Sequence, residues 1–278
     1  MKKLFDAHTH LNFDEYSEEE RKNLASEIAE SDIAFLIDVG DSVESSKQAI
    51  ADAEDYEWCF AAVGLHPDQA SKYSDADLEI IRELAKHPRV KAIGEIGLDF
   101  YYGKDDQVEQ QELFRKQIRL ANELRMPIMI HTRDANQLTM DILVEEGAFT
   151  DERKSWFSKR PGPNGELLDD AKVQLHCFSG SAELAEQYVK LGATISLGGP
   201  VTFKNGKKAV SVVERIPVEF LMSETDAPFM APEPLRGRPN KPHYVEHVVR
   251  KMAELKGLSY EEMSNILLEN GKRFFNID

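Results

Sequence analysis

The amino-acid sequence predicts a single-domain (β/α)8 TIM barrel, an α/β fold that would span residues 1–278. The chain of 278 residues has the length of one such barrel and can bury a large core. Short apolar runs alternate with longer segments of helical periodicity, which is typical of repeated βα units. Ionisable residues follow the ends of most of these runs, and a barrel builds its active site at that face.

Eight apolar runs predict the strands of this barrel. Between them, segments such as 107–125 and 182–191 repeat apolar residues every three or four positions, as amphipathic helices do. An open doubly wound sheet would collect polar residues only around its switch point, so the closed barrel is the first hypothesis and the open sheet the second. The predicted strands are residues 4–10, 33–39, 58–64, 90–96, 127–131, 173–177, 193–197 and 220–224.

One irregular stretch interrupts the alternation of strands and helices. Residues 147–172 are rich in charge and include the turn-forming segment 161–165. This composition predicts an insertion in a helix-to-strand connection rather than a domain boundary. Such connections open on the N-terminal face of a barrel, away from the catalytic mouth. We therefore expect the stretch to affect stability rather than catalysis.

Composition restricts the class of partner and the compartment. The formal net charge is −16, which argues against an extended basic surface for nucleic acid, although bound cations and a few local Lys or Arg side chains can still meet a phosphodiester. Two cysteines, Cys59 and Cys177, fit a reducing compartment. Because no apolar segment reads as a signal peptide or membrane helix, we expect a cytoplasmic protein without a membrane partner. A monomer is expected, with an oligomer left open.

Histidines and carboxylates at the predicted strand ends indicate a metal centre. His8 and His10 are two residues apart on one strand, so both imidazoles face the same side and can hold one ion. Glu95 enters an apolar strand, where a carboxylate needs a cation or hydrogen-bond donors. A buried ion pair with Arg133 is the alternative interpretation of Glu95. The ionisable residues that gather at the predicted strand ends are His8, His10, His66, Glu95, His131, His176 and Asp226.

Both carboxylates in this set, Glu95 and Asp226, are also candidate catalytic residues. The two oxygens of Glu95 can bridge neighbouring ions, and Asp226 at the end of the eighth strand can activate a water, unless it serves only as a turn residue before a proline. Strand alternation places Cys177 on the face opposite His176, which predicts packing rather than ligation. A set of N and O ligands suits two divalent ions such as Mg, Mn or Zn, and the sequence leaves the identity open.

Several motifs, in the same order along nearly the whole chain, resemble those of the TatD metal-dependent deoxyribonucleases, a branch of the amidohydrolase-like barrels. The resemblance implies that Glu95 bridges two ions. The metal ligands it implies are His8, His10, Glu95, His131, His176 and Asp226. It also implies hydrolysis of DNA phosphodiester bonds, commonly as a 3′-5′ exonuclease, by a water that two metals activate. The motifs are FDAHTHL (5–11), AIGEIGLD (92–99), HCFSG (176–180), GGPVTFK (198–204), ETDAP (224–228) and the tail around 269–270.

Three basic residues are candidates for binding substrate phosphate: His66, Arg133 and Lys204. For each of them the alternative interpretation, equally favoured, is an ordinary surface residue or an ion-pair partner of a nearby carboxylate. The sequence departs from the TatD pattern at Asp68, where the family often has a second histidine, and in the length of the 147–172 stretch. An aspartate at that position would weaken a contact with phosphate.

Two other functions remain open from the sequence. The first is another amidohydrolase-like hydrolase, in which the same metals act on a small amide, lactone or phosphoester. The second is a binding protein with a closed structural zinc site, which the large number of potential ligands makes less favoured.

Overall fold

The computed structural model describes residues 2–13 and 15–277, and eight parallel strands in this part of the chain form one barrel sheet. The strands pair in chain order, and each of the eight predicted apolar runs overlaps one of them, although β4 and β5 extend beyond the predicted ends at residues 96 and 131. The prediction of a (β/α)8 barrel is therefore confirmed. The strands are β1 (Leu4–Thr9), β2 (Ile33–Val39), β3 (Cys59–Val63), β4 (Val90–Asp99), β5 (Ile128–Arg133), β6 (Val173–Leu175), β7 (Thr194–Leu197) and β8 (Leu221–Ser223).

Helices follow the strands and cover the outside of the sheet. Serine capping boxes satisfy the first backbone N–H groups of several helices, which explains why the helices begin there: the serines are Ser17, Ser42, Ser74 and Ser259. The helices are α1 (Glu18–Glu30), α2 (Val43–Asp55), α3 (Asp75–Leu84), α4 (Gln107–Leu124), α5 (Asn136–Glu145), α6 (Asp151–Ser155), α7 (Ala182–Leu191), α8 (Lys207–Arg215), α9 (Val245–Lys256) and α10 (Tyr260–Phe275).

Short 3-10 helices at Pro67–Lys72, Gly199–Thr202, Val218–Phe220 and Pro242–Tyr244 complete the connections. Within residues 2–13 and 15–277, no helix combines the length and the apolar character needed to span a membrane. The strands are largely buried on both faces, as expected for a parallel sheet covered by helices.

The sheet closes between its first and last strands at the mouth of the barrel. The backbone N–H of Asp226 donates to the carbonyl of His8 (2.9 Å), and that of His10 donates to the carbonyl of Ala227 (2.9 Å). The carboxylate of Asp6 is fully buried at the same seam and accepts backbone N–H groups from both sides of it. Closure thus places the two histidines of β1 beside the aspartate that follows β8.

Residues 147–172 form the connection between α5 and β6. Arg153, in α6, donates to the carbonyl of Met126 just before β5 (2.8 Å), and Arg160 donates to the carbonyl of Ala193 just before β7 (3.3 Å). These contacts lie at the N-terminal ends of the strands, on the side opposite the mouth. The description of the segment as an insertion stays a prediction. A short antiparallel hairpin within it pairs Arg160–Pro161 with Leu167–Leu168.

We predict that the buried ion pair between Arg160 and Asp170 makes the 147–172 segment important for stability. Both side chains are 0 % exposed. Arg160→Met would leave Asp170 with the backbone N–H of Lys172 (2.9 Å) and, as its remaining ion pair, a longer contact to Arg273 at 3.5 Å. A carboxylate that loses its buried partner is strongly destabilising, so the variant should lower the free energy of unfolding by about 3 kcal/mol. Urea denaturation measures this change, and metal content should not change.

A neighbouring exposed pair supplies the control. Lys159 and Asp169 are 3.3 Å apart with side chains 58 % and 56 % exposed, so Lys159→Met should cost less than about 1 kcal/mol. Equal effects of the two substitutions would contradict the role of the buried pair. Loss of metal from a folded Arg160→Met variant would show that the segment affects the mouth.

Candidate metal centre

The carboxylate of Glu95 is the centre of a histidine cluster at the mouth of the barrel. Glu95 lies on β4 and is 4 % exposed. Its two oxygens lie within 3.8 Å of ring nitrogens from five histidines that four different parts of the barrel contribute. These histidines are His8, His10, His66, His131 and His176.

The two oxygens of Glu95 face different histidines. Oε2 lies 3.4 Å from His8 Nε2 and 3.8 Å from His10 Nε2. Oε1 lies 2.6 Å from His131 Nδ1, 3.7 Å from His66 Nε2 and 3.6 Å from His176 Nε2. One carboxylate therefore stands between two groups of imidazoles, one on each of its oxygens.

Asp226 joins the group on the Oε2 side. Its Oδ1 lies 3.5 Å from His10 Nε2 and 3.8 Å from His8 Nε2, because the seam hydrogen bonds bring the end of β8 next to β1. His176 Nε2 lies 3.6 Å from the same oxygen, so His176 stands between the two groups. The structure thus brings together all six predicted metal ligands.

The separations between these atoms fit ligands that share an ion. Ligands about 2 Å from one divalent ion stand about 3 Å from each other, and His8 Nε2 lies 3.2 Å from His10 Nε2. The potential ligand groups are His8–His10–Asp226, His8–Glu95–His176 and His66–Glu95–His131, in which all ligand atoms lie within 4.8 Å of one another. Imidazole nitrogen and carboxylate oxygen suit zinc, manganese and iron, and the shared carboxylate also suits magnesium.

The charges of the cluster also favour a bound cation. Burial raises the pKa of Glu95, but the nearby His176, His8 and His131 outweigh it and hold that pKa well below its usual value. Burial lowers the pKa of His10, but Asp226 and Glu95 outweigh it and raise that pKa to about 10. In the metal-free protein, protons on His10, His131 and His176 therefore supply the positive charge that the carboxylates require, whereas burial and the charge of His176 lower the pKa of His8 to about 4.

In two histidines, one ring nitrogen is hydrogen-bonded outside the cluster, which turns the other ring nitrogen towards Glu95 and Asp226. His10 Nδ1 lies 2.8 Å from the carbonyl of Val39, so Nδ1 is the donor and Nε2 points into the cluster. His131 Nε2 lies 3.0 Å from Asp99 Oδ2, while its Nδ1 faces Glu95. Outer partners of this kind fix the tautomer and orientation of metal-ligating histidines.

Glu224 stands beside the outer nitrogen of the third histidine. Its Oε2 lies 3.2 Å from His176 Nδ1, and its other oxygen accepts the backbone N–H of Cys177. Neither Glu224 nor Asp99 was predicted from the sequence to have a role in the site. Both stand inside the quoted motifs, but their function depends on partners from other strands, which the spacing within a motif does not reveal.

Comparisons with known proteins agree with this geometry. Residues 5–276 match the sequence model of the TatD related DNases. The chain belongs to the TatD family of metal-dependent hydrolases.

Relatives of this TatD-family chain match it along its whole length. The uncharacterized metal-dependent hydrolase YabD of Bacillus subtilis is 40 % identical over 99 % of this chain and 100 % of that protein. The 3′-5′ ssDNA/RNA exonuclease TatD of Dickeya dadantii is 31 % identical over 98 % of this chain and 97 % of that protein. The crystal structure of YjjV, a TatD homologue from Escherichia coli, superposes with a TM-score of 0.85 at 29 % identity and covers 100 % of this chain and 99 % of its own.

The residues predicted to bind phosphate lie in different places. His66 follows β3 and belongs to the second histidine group, where its Nδ1 lies 2.8 Å from Asp68 Oδ1. The aspartate that departs from the TatD pattern thus orients His66. Lys204 is exposed in the turn between β7 and α8. Arg133 does not pair with Glu95, since its guanidinium lies 4.0 Å above the ring of Tyr101.

The prediction that Cys177 packs outside the TatD-family site is wrong. β6 ends at Leu175, and Cys177 has a positive φ of 42°, so strand alternation no longer applies at this residue. Its thiol is grouped with the ligand atoms of His176 and Asp226. Burial raises the pKa of the thiol, and the charge of Asp226 adds to that rise. Cys177 therefore borders the centre as a neutral thiol.

We predict that metal binding to this TatD-family centre releases protons. The pKa of His10 is about 10, and Glu95 and Asp99 outweigh burial to raise that of His131 to about 10. Both imidazoles are therefore protonated near neutral pH in the metal-free protein, whereas ligation requires the neutral ring. Affinity for the ion should consequently rise with pH. Isothermal titration calorimetry with Mn²⁺ in two buffers of different ionisation enthalpy counts the released protons.

A surface histidine supplies the control for this titration. His87 lies outside the centre, 3.2 Å from Glu54, so His87→Ala should release the same number of protons as the wild type. Heats that do not depend on the buffer would show that the cluster is already neutral and would contradict the charges assigned here.

Proposed function

We propose that the protein is a deoxyribonuclease that uses two divalent metal ions to remove nucleotides from the 3′ end of DNA. The position of Glu95 between two groups of imidazoles is the observation that carries the proposal. Membership of the TatD family supports it, as does the likeness to a relative named 3′-5′ ssDNA/RNA exonuclease.

In this proposal Glu95 would be a ligand of both ions. His8, His10 and Asp226 would hold one ion, and His131 and His176 would hold the other with His66 beside it. The donor set leaves Mg, Mn and Zn as candidates. Two divalent ions bound in this way lower the pKa of water and neutralise charge on the phosphoryl oxygens.

Asp226 is the proposed general base. Burial raises its pKa, but His176 and His10 outweigh burial and lower the pKa below its usual value. The carboxylate is therefore ionised and can accept the proton of the attacking water. Its backbone is held by the seam hydrogen bond to His8, which keeps the carboxylate beside the proposed ligands.

Cations at the mouth are proposed to hold the phosphate group. Arg133 at the end of β5 and Lys204 after β7 are both exposed, and His66 reaches the centre after β3. On a chain with a net charge of −16, a few local cations can bind phosphate without an extended basic surface. The planar guanidinium of Arg133 suits a bidentate contact.

A cytoplasmic monomer also stays part of the proposal. Cys59 and Cys177 are both free thiols in the structure, which supports a reducing compartment.

We predict that Asp226→Asn lowers kcat for DNA by a factor of about 100 to 10,000, because an amide cannot take the proton of the water. The seam hydrogen bond uses the backbone of residue 226 and should survive the substitution. Release of the 3′-terminal nucleotide from an end-labelled single strand measures the rate, and circular dichroism verifies the fold. A rate near that of the wild type at saturating metal would remove Asp226 from the mechanism.

We predict that Arg133→Ala and Lys204→Ala raise KM for DNA and leave metal content unchanged, because both side chains would contact phosphate rather than an ion. Elemental analysis and steady-state kinetics separate the two quantities. Lys159→Ala, on the opposite face of the barrel, is the matched control for loss of one exposed positive charge. Loss of metal with an unchanged KM would assign Arg133 and Lys204 to the centre instead.

The function itself is tested by substrate choice. The metal-loaded protein is incubated with single-stranded, duplex and 3′-recessed DNA, and in parallel with small amides, lactones and phosphoesters. Release of mononucleotides from a 3′ end supports the proposal. Turnover of a small amide or lactone without nuclease activity would favour the amidohydrolase-like alternative, and no turnover of any substrate would favour a binding protein.

A further inference from the structure

Two tyrosines are exposed beside the metal centre. Tyr101 and Tyr102 follow directly after β4, and their side chains are among the large apolar groups most open to solvent, with residue exposures of 48 % and 69 %. Their ring centroids are 4.8 Å apart in an edge-to-face arrangement. Adjacent exposed aromatic rings at the mouth of a barrel indicate a binding surface rather than core packing.

The turn that carries the tyrosines is held rigidly. Asp99 Oδ1 accepts the backbone N–H of Tyr101 (2.9 Å) and of Tyr102 (2.7 Å). The buried amide of Gln110 donates to the carbonyls of Asp99 (2.9 Å) and Gly103 (2.8 Å). A Cβ at Gly103 would collide with the side chain of Gln110. The rings are therefore exposed on a fixed backbone, which limits the entropy lost when a ligand binds.

The same carboxylate connects this turn to the proposed metal ligands. Asp99 Oδ2 lies 3.0 Å from His131 Nε2, and the opposite nitrogen of that ring faces Glu95 at 2.6 Å. The turn that carries the tyrosines and the proposed ligand His131 therefore share one carboxylate. Asp99 is fixed at one end by the tyrosine turn and at the other by the histidine.

A guanidinium completes the surface. Arg133 lies 4.0 Å from the ring centroid of Tyr101 and 4.7 Å from that of Tyr102. In the part of the chain that the structure describes, Arg133 forms no ion pair with a carboxylate, so its charge remains available to an anion. Aromatic faces next to an arginine are the combination that binds single-stranded nucleic acid, because every base has a face that can stack and every nucleotide carries a phosphate.

We infer that Tyr101, Tyr102 and Arg133 form a platform on which an unpaired nucleobase next to the scissile phosphate stacks. This inference rests on the proposed nuclease function. It adds which part of the substrate, the base next to the scissile phosphate, the enzyme binds. A base inside a duplex has both faces covered by its neighbours, so the platform favours an end whose bases are unpaired. The affinity of the platform does not depend on the identity of the base, since stacking makes no hydrogen bonds to the edges of the base.

The test compares loss of the rings with loss of the base. The double variant Tyr101→Ala/Tyr102→Ala should raise KM for a single-stranded oligonucleotide about ten-fold or more, with kcat changed far less and metal content unchanged. An oligonucleotide whose 3′-terminal residues carry tetrahydrofuran in place of the base should impose a similar rise in KM on the wild type. The variant should suffer no further rise on that oligonucleotide, because the two changes remove the same contact.

Two control variants separate stacking from other effects. Tyr101→Phe/Tyr102→Phe keeps both rings and should restore a KM close to that of the wild type. Leu167→Ala removes another highly exposed apolar side chain (67 % exposed) from the hairpin at the far end of the barrel and should change nothing. If the double alanine variant does not fold, Tyr102→Ala alone gives the same test, since its ring is the more exposed.

The outcomes distinguish the platform from the nuclease activity. A wild type that degrades DNA, together with a folded and metal-loaded alanine variant of equal KM, would overturn the platform and leave the nuclease proposal standing. Additive losses for the variant and the tetrahydrofuran oligonucleotide would also overturn it. A wild type that releases no nucleotide would overturn both.

Discussion

The contact of one buried carboxylate with five imidazoles is the constraint on which the mouth of this barrel depends. Glu95 would be strongly unfavourable at 4 % exposure without positive charge around it. The barrel supplies that charge from the ends of separate strands, with ring nitrogens 2.6–3.8 Å from the carboxylate oxygens. Because each oxygen faces a different group of rings, the same constraint that stabilises Glu95 also places potential metal ligands on both of its sides.

Backbone geometry keeps these side chains in place. Gly97 on β4 has a φ of 149°, and a Cβ at this position would collide with the carbonyl of His131 on β5, so only glycine allows the two strands to approach closely. At the opposite seam, Asp6 and the backbone of Asp226 join β8 to β1. The fold and the centre thus depend on the same contacts between strands.

Much of this arrangement could be predicted from the sequence, because strand periodicity and barrel closure together determine which residues meet at the mouth. Eight apolar runs predicted the strands, and residues at their ends predicted the cluster. Cys177 was predicted wrongly because β6 ends two residues before it. Asp99 and Glu224 were missed because they act on histidines of other strands. The exposure of Tyr101 and Tyr102 depends on the turn that Asp99 holds, and periodicity carries no information about such a turn.

The number of divalent ions bound by the wild type and by Glu95→Ala tests the central claim most directly. Purified protein is loaded with Mn²⁺ or Zn²⁺, freed of excess metal and analysed for metal per chain, with circular dichroism to verify the fold. If Glu95 bridges two ions, the wild type binds two and the folded variant binds fewer. The variant lacks both the shared ligand and the negative charge that reduces the repulsion between the two ions. A folded Glu95→Ala variant that still binds two ions with wild-type affinity would contradict the account.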